Sequence, residues 1–246
     1  RGKTAERCAD EIEHLVSTYG LDTIALVDDE FFISKPRVEK IMDLLRQRNL
    51  ALGFTASCRL DTARSFSDAL CAKLYAGGFH HMYFGAESGC DSMLQAIHKQ
   101  ITVDDIIGGA QKIARARIRP ILSFMSGFPD EPYKDFVQTL GLIRTLWKLH
   151  PLITVNGVFP FSPYPGTVLF EKSKKQGLDP PHNLVKWGAW EFEYSPSMPW
   201  LSSKKASAMQ VAFYMVRFNH YVRMFSDRNR NVIARSAIRI ISLPLR

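Results

Sequence analysis

Phe79-His80-His81-Met82-Tyr83-Phe84-Gly85-Ala86-Glu87-Ser88-Gly89 decides the reading of the fold. Phe79 to Phe84 is a short apolar and aromatic run, which predicts a strand. It ends in Gly85-Ala86-Glu87-Ser88, residues that turn the chain and carry charge. A helical pattern lies on each side. Ser67 to Ala76 precedes it and stops at Gly77-Gly78; Asp91 to His98 follows it.

The same unit recurs outward in both directions. Thr4 caps a helix with Ala5, Cys8, Ile12, Leu15, Val16 and Tyr19 on one face, closed by Gly20. Thr23 to Val27 is a near-continuous apolar run, predicted as a strand buried on both faces. Ser34 and Pro36 open a helix, and Leu50 to Ser57 is the next strand. Thr102 with Asp105 forms a capping box for a helix containing Gly108-Gly109. Strands follow at Pro120 to Met125 and Ile153 to Phe159, separated by a helix with Phe136, Leu140, Ile143 and Trp147. Repetition of strand and helix every roughly 30–35 residues predicts a parallel sheet, doubly wound or part of a barrel. Either geometry gathers ligand-binding groups at the C-terminal ends of its strands.

The composition fits this. Of 246 residues, 46% are hydrophobic and 23% charged, which excludes a disordered or collagen-like chain. No apolar run reaches about 20 residues, so no transmembrane helix is predicted. The net charge is +8, and it is uneven. Arg217 to Arg246 holds seven Arg and only Asp227 against them, leaving +6 there. In the tail, Val232, Ile233, Ile238, Ile240, Ile241 and Leu243 interleave with Arg228, Arg230, Arg235 and Arg239. That pattern suits an anionic membrane face or a helix packed on the barrel with a solvated Arg face. Specific nucleic-acid binding is not expected, since no finger, KH or RNP signature occurs.

Each predicted strand ends in polar groups: Asp28-Asp29-Glu30, Arg59 and Asp61, Glu87 and Ser88, Gly127 and Glu131, Tyr164 and Gly166. Singly these read as helix caps; together they predict a polar ring suited to a zwitterion bearing a sugar. Carboxylates hold an ammonium, Glu87 accepts from ribose hydroxyls and Arg59 grips a carboxylate through two bonds. No GxGxxG, GxxxxGK[ST] or GxSxG occurs, so neither a phosphate cradle nor a nucleophile elbow is predicted. Cys8, Cys58, Cys71 and Cys90 are dispersed, without metal-knuckle spacing.

In order along the chain, Val27-Asp28-Asp29-Glu30-Phe31, Ser57-Cys58-Arg59-Leu60-Asp61, Gly85-Ala86-Glu87-Ser88-Gly89, Met125-Ser126-Gly127-Phe128-Pro129 and Pro163-Tyr164-Pro165-Gly166-Thr167 resemble the radical SAM core, in its cobalamin-binding form. The resemblance implies an α/β fold, a partial (β/α) barrel of the TIM-barrel-like radical SAM type with parallel strands. Residues 1–177 would form that core and 178–246 a C-terminal appendix of a helix and the basic tail. It implies S-adenosylmethionine as cofactor. Asp28, Asp29 and Glu30 would meet its ammonium, Arg59 its carboxylate and Glu87 its ribose. Ser123, Phe124 and Gly127 would line adenine and ribose, with Phe159 and Phe161 near adenine.

A 4Fe–4S cluster is implied as well, held in the family by a CxxxCxxC loop that this sequence does not contain. The expectation is that its ligands lie upstream and that this chain alone is inactive. Cobalamin would need a further domain. The implied reaction is cleavage of S-adenosylmethionine to a 5′-deoxyadenosyl radical, for methylation or rearrangement of a small-molecule or lipid-like substrate. The alternative is a catalytically inactive, degenerate barrel that binds an adenosyl ligand or a protein partner. Trp187, Trp190, Tyr194 and Trp200 are read either as substrate contacts or as packing across an open barrel edge. Asp130 and Pro132, where the family often has Gly and Thr, predict an altered loop backbone. The protein is expected in the cytoplasm, peripheral to the membrane if the tail binds lipid.

Overall fold

A computed structural model describes residues 2–188 and 198–228. The elements run α1 (Ala5–Tyr19), β1 (Thr23–Leu26), α2 (Lys35–Gln47), β2 (Gly53–Ala56), α3 (Leu60–Arg64), α4 (Asp68–Ala76), β3 (His81–Glu87), α5 (Asp91–Ala96), α6 (Val103–Arg115), β4 (Arg119–Ser126), α7 (Tyr133–Leu149), β5 (Thr154–Pro160), α8 (Val168–Lys175), α9 (Leu184–Gly188) and α10 (Ser203–Arg228). Trp190, Tyr194 and the tail beyond Arg228 lie outside the described residues.

β1 and β2 pair in parallel, Thr23 with Gly53 through Leu26 with Ala56. Parallel bridges Phe54–Phe79 and Ser57–Tyr83 carry the order on to the third strand, and β3, β4 and β5 form a sheet in that order. The predicted sequence of neighbours therefore holds. The ladder is interrupted between β2 and β3, so the strands form two sheets joined by isolated bridges instead of one continuous sheet.

Two compact units divide the chain, and the cut passes through the strands. The first comprises Arg1–Gly85, Ile101–Leu122 and Leu146–Thr154. Its core gathers Phe32, Phe54, Phe66 and Phe79, with Phe32 5.4 Å from Phe66 and 5.8 Å from Phe79, and Phe54 stacked on Phe79 at 5.5 Å. Helix ends follow local chemistry. Thr4 accepts from the Arg7 amide and Gly20 closes α1 at φ 63°, as the sequence predicts. The Thr102–Asp105 capping box is present. Ser34 occupies the cap position of α2 without making a side-chain cap bond.

β1 departs from its prediction. Ile24 is its one buried residue, while Thr23 and Ala25 are exposed and Val27, beyond the strand, is 92% exposed. Side chains alternate between faces along a strand. In β1 and β2, one face (Ile24, Phe54, Ala56) is buried and the other stays more accessible. An apolar run alone does not reveal which face is left uncovered.

α3 was not predicted, and it explains the helical glycines. α3 packs against α6. A Cβ at Gly109 would lie 2.3 Å from the Leu60 carbonyl oxygen, and one at Gly108 3.0 Å from the Arg64 side chain. Arg64 then bonds Asp105 at 2.9 Å and Asp104 at 2.7 Å. Gly109→Ala should lower stability by about 1–3 kcal/mol through overpacking against backbone. Helix propensity alone would favour Ala by about 1 kcal/mol, so the sign of the change separates the two effects. Urea unfolding that shows a stabilised variant would rule out this close approach.

The second unit comprises Ala86–Gln100, Ser123–Thr145 and Val155–Arg246. Its core joins Cys90, Met93, Phe128, Phe161 and Met198, with Ile97, Met125, Leu169, Trp200 and Leu201 packed against it.

Candidate functional site

The strand-end residues of the first unit are Asp28, Asp29, Glu30 and Arg59. Asp28 and Asp29 follow β1 and are exposed. Glu30 is half-buried just before a single 3-10 turn at Phe31–Ile33. Arg59 precedes α3, and its guanidinium grips Asp61 through Nε at 3.1 Å and Nη2 at 2.9 Å. That hydrogen bond raises the Arg59 pKa, and the Glu30 charge adds to it. Burial pushes the Asp61 carboxyl up, but bonds from Arg59 and the Thr62 amide outweigh it and leave the group below its ordinary value. The structure thus brings Glu30, Arg59 and Asp61 into one charged cluster. It also gives the Arg59 fork a carboxylate partner inside the chain.

In the second unit, Glu87 ends β3 with φ 61°, a left-handed conformation rare outside glycine. Its Oε1 accepts from Lys99 Nζ at 2.9 Å, and both side chains are largely buried. The segment after it is pinned by α7. The Gly89 amide donates to Thr139 Oγ1 at 2.9 Å, and a Cβ at Gly89 would sit 2.6 Å from the Thr139 Cα. Ser88 is fully buried, and its Oγ accepts from the Cys90 amide at 3.2 Å. Ser88 and Gly89 therefore aim the Glu87 turn.

Ser123 and Phe124 fall on opposite faces of β4. Ser123 is half-buried, whereas Phe124 is fully buried. Gly127 has φ 89°. Its amide donates to Glu131 Oε2 at 2.5 Å and its carbonyl accepts from Trp200 Nε1 at 2.9 Å. A Cβ there would approach Met209 Cε to 2.8 Å and Met198 Sδ to 3.3 Å. The backbone that the resemblance assigns to adenine and ribose is thus covered by residues from the C-terminal part of the chain. Phe159 meets Phe213 edge-on at 5.7 Å, Phe161 lies 4.9 Å from Phe128, and both are buried. Trp200 belongs to this packing. Trp187 lies 6.4 Å from Phe170.

Sequence reasoning missed Lys99, which sits in a polar His98-Lys99-Gln100 stretch with no periodic signal. It also missed Lys205, whose partner Glu131 is 74 residues away. Asp130 adopts φ 63°, the conformation a glycine would take, and Lys172 holds its carboxylate at 2.7 Å. A cleft of about 490 Å³ beside it is lined by Phe128, Glu131, Trp200, Ser202 and Lys205, among others. The first unit has a larger hollow of about 1120 Å³, lined in part by Leu52, Gly53 and His80, at the strand starts; no predicted site residue lines it.

The four cysteines do not fit a cluster site. Cys8 is half-buried on α1, whereas Cys58, Cys71 and Cys90 are buried. No group of three or more metal-ligating side chains occurs among the described residues. Burial, with the Glu30 and Asp61 charges, pushes the Cys58 thiol well above its ordinary range. In the native chain, a disulfide reagent should therefore titrate Cys8 alone quickly, and all four only after denaturation. Rapid reaction of Cys58 would contradict its placement.

The Radical SAM superfamily model matches residues 1–143. The chain belongs to the Radical SAM superfamily. An uncharacterized methyltransferase of Pyrococcus horikoshii is 32% identical over 171 residues, 70% of this chain and 36% of that protein. A tRNA-2-methylthio-N(6)-dimethylallyladenosine synthase of Paracoccus denitrificans is 30% identical over 99 residues, 39% of this chain and 21% of that one. The chain thus spans about a third or less of the length of these relatives.

Among solved structures, the cobalamin-dependent S-adenosylmethionine radical enzyme OxsB superposes with TM-score 0.55 at 14% identity, covering 72% of this chain and 26% of that one. The radical S-adenosylmethionine methyltransferase TsrM of Kitasatospora setae gives 0.57 at 16%, covering 71% and 34%. At such identities the likeness shows the fold: the parallel α/β arrangement of radical SAM enzymes, with a helical C-terminal part. Radical SAM membership implies S-adenosylmethionine and a 4Fe–4S cluster for the family.

Proposed function

We propose that this chain supplies the S-adenosylmethionine-binding strand ends of a radical SAM enzyme that methylates or rearranges an organic substrate. The observation that carries the reading is the family match across residues 1–143, the span holding Asp28, Asp29, Glu30, Arg59, Glu87, Ser123, Phe124 and Gly127. When bound, the cofactor would supply a sulfonium able to give up a methyl group or, on one-electron reduction, an adenosyl radical. The chain's own part is binding and orientation. Glu87, half-buried at a strand end, is suited to accept from the ribose hydroxyls, with Lys99 fixing the carboxylate. In the first unit, taken by itself, Glu30 and the Arg59–Asp61 pair have the charges to hold a zwitterion. Phe159 and Phe161 keep their wall of the second unit free of water.

Methyl transfer is favoured over rearrangement by the Pyrococcus horikoshii relative, named as a methyltransferase. Cobalamin enters the reading because OxsB and TsrM, similar in fold, contain it. No step is assigned through the cluster, whose ligands the cysteines of this chain do not provide. That same dispersal favours a second reading, in which this chain binds an adenosyl ligand without catalysis. Calorimetric titration of the chain with S-adenosylmethionine and with adenosine tests the binding claim. Saturable binding of the first that free adenosine competes for supports it. No heat with either ligand, in a chain shown to be folded, rejects it.

A further inference from the structure

α10 is a 26-residue helix with one buried face and one exposed apolar face. Lys205, Met209, Ala212, Val216 and Asn219, spaced four and three apart, form its buried face. Val211, Tyr214, Met215, Phe218, Tyr221 and Phe225 follow the same spacing on the opposite side, each 46–63% exposed. At about 1.5 Å per residue, this second stripe runs about 21 Å along the helix. Single exposed apolar residues are ordinary, but a continuous aromatic stripe on one helix marks a binding face.

We infer that this stripe of α10 lies on an anionic lipid bilayer, with the helix parallel to the surface. Charge selects that occupant. Arg217 and Arg223 lie within the same stretch of helix, and the chain from Arg217 to Arg246 carries +6. A second copy of the chain would bring two such segments together and repel; an anionic headgroup layer attracts them. Residue chemistry agrees. Four of the six stripe residues are Tyr or Phe, and amphipathic aromatic rings such as Tyr settle at the boundary of headgroups and acyl chains. The Arg217 guanidinium already sits over the Phe213 and Tyr221 rings, at 5.4 and 5.9 Å, so cation and aromatic surface are presented together. No described helix is long and apolar enough to cross a membrane, which leaves the surface position. The inference places the contact on α10 itself, with the Arg-rich tail adding attraction.

The test is flotation of the whole chain with vesicles of phosphatidylcholine alone or mixed with phosphatidylglycerol. A variant with Tyr214→Ser, Phe218→Ser and Phe225→Ser keeps the buried face intact, and a thermal melt checks that it folds. The wild-type chain should float with the anionic vesicles only and release as salt is added. The triple variant should bind at least about tenfold more weakly. Flotation undiminished in the folded triple variant would place the contact in the tail alone and overturn the inference. So would equal binding to neutral vesicles. Absence of flotation would also overturn it, including the case where light scattering finds a dimer that the triple variant dissolves, since a second copy would then cover the stripe.

Discussion

Lys205→Met should destabilise the protein by about 3–5 kcal/mol, since it leaves a buried carboxylate without its counter-charge. The Glu131 side chain is wholly buried and Lys205 is 6% exposed, with Nζ 3.1 Å from Oε2. The same Nζ donates to the Glu131 carbonyl. Oε2 also accepts from Ser126 Oγ at 2.9 Å and from the Gly127 amide. These donors remain in the variant, so the loss should fall toward the lower end of the range. In a chain of this size, that corresponds to a fall in Tm of roughly 6–12 °C. Replacing both partners, Glu131→Leu with Lys205→Met, should recover much of the loss, because neither charge then needs burial. The comparison is a double-mutant cycle by urea unfolding. A Lys205→Met cost below about 1 kcal/mol would mean that the pair is solvated, in the manner of surface ion pairs. The pair matters beyond stability. It ties α10 to the turn after β4, and so fixes the cover over Gly127.

Glu87 carries the second large effect. Replacement by Gly should weaken S-adenosylmethionine binding by about 1.5–3 kcal/mol, roughly 10- to 150-fold in Kd, through loss of charged hydrogen bonds to ribose. Gly suits the left-handed backbone at this position, where a side chain costs about 1 kcal/mol. That relief offsets the lost ion pair with Lys99, so stability should change little. A fall in stability with unchanged affinity would assign Glu87 to structure alone, as the partner of Lys99.

What the sequence disclosed is what depends on neighbours in the chain. Thr4, Gly20 and the Thr102–Asp105 box act within one helical turn, and each is found at the end it was expected to form. Strand order followed from the alternation of elements. Strand exposure did not, since the environment of Ala25 and Val27 depends on what packs over each face. The site is legible to the same degree. Glu87 stands out in the sequence because it ends an apolar run in a Gly85-Ala86-Glu87-Ser88 turn, and the structure places it at the end of β3. Its orientation is set by Thr139, about 50 residues on, and by Lys99, neither of which has a local signature. The resemblance assigns Arg59 to a cofactor carboxylate, and in the structure its guanidinium bonds Asp61, two residues away. The spacing was visible, but the short helix α3 that brings the two together was not. The resemblance assigns Gly127 to adenine and ribose, and the residues that cover it in the structure, Met198, Trp200 and Met209, have no local signature near it.

The central claim is that this chain belongs to an enzyme that consumes S-adenosylmethionine by radical SAM chemistry. It is tested most directly in the intact gene product, reconstituted anaerobically with iron and sulfide and given reductant and S-adenosylmethionine labelled in its methyl group. The account predicts conversion of the cofactor, read as 5′-deoxyadenosine or as label transferred to an organic acceptor, and a sharp drop in both when Glu87 is replaced by Gly. A cluster-loaded, folded protein that returns the S-adenosylmethionine intact, or converts it equally well without Glu87, would contradict it.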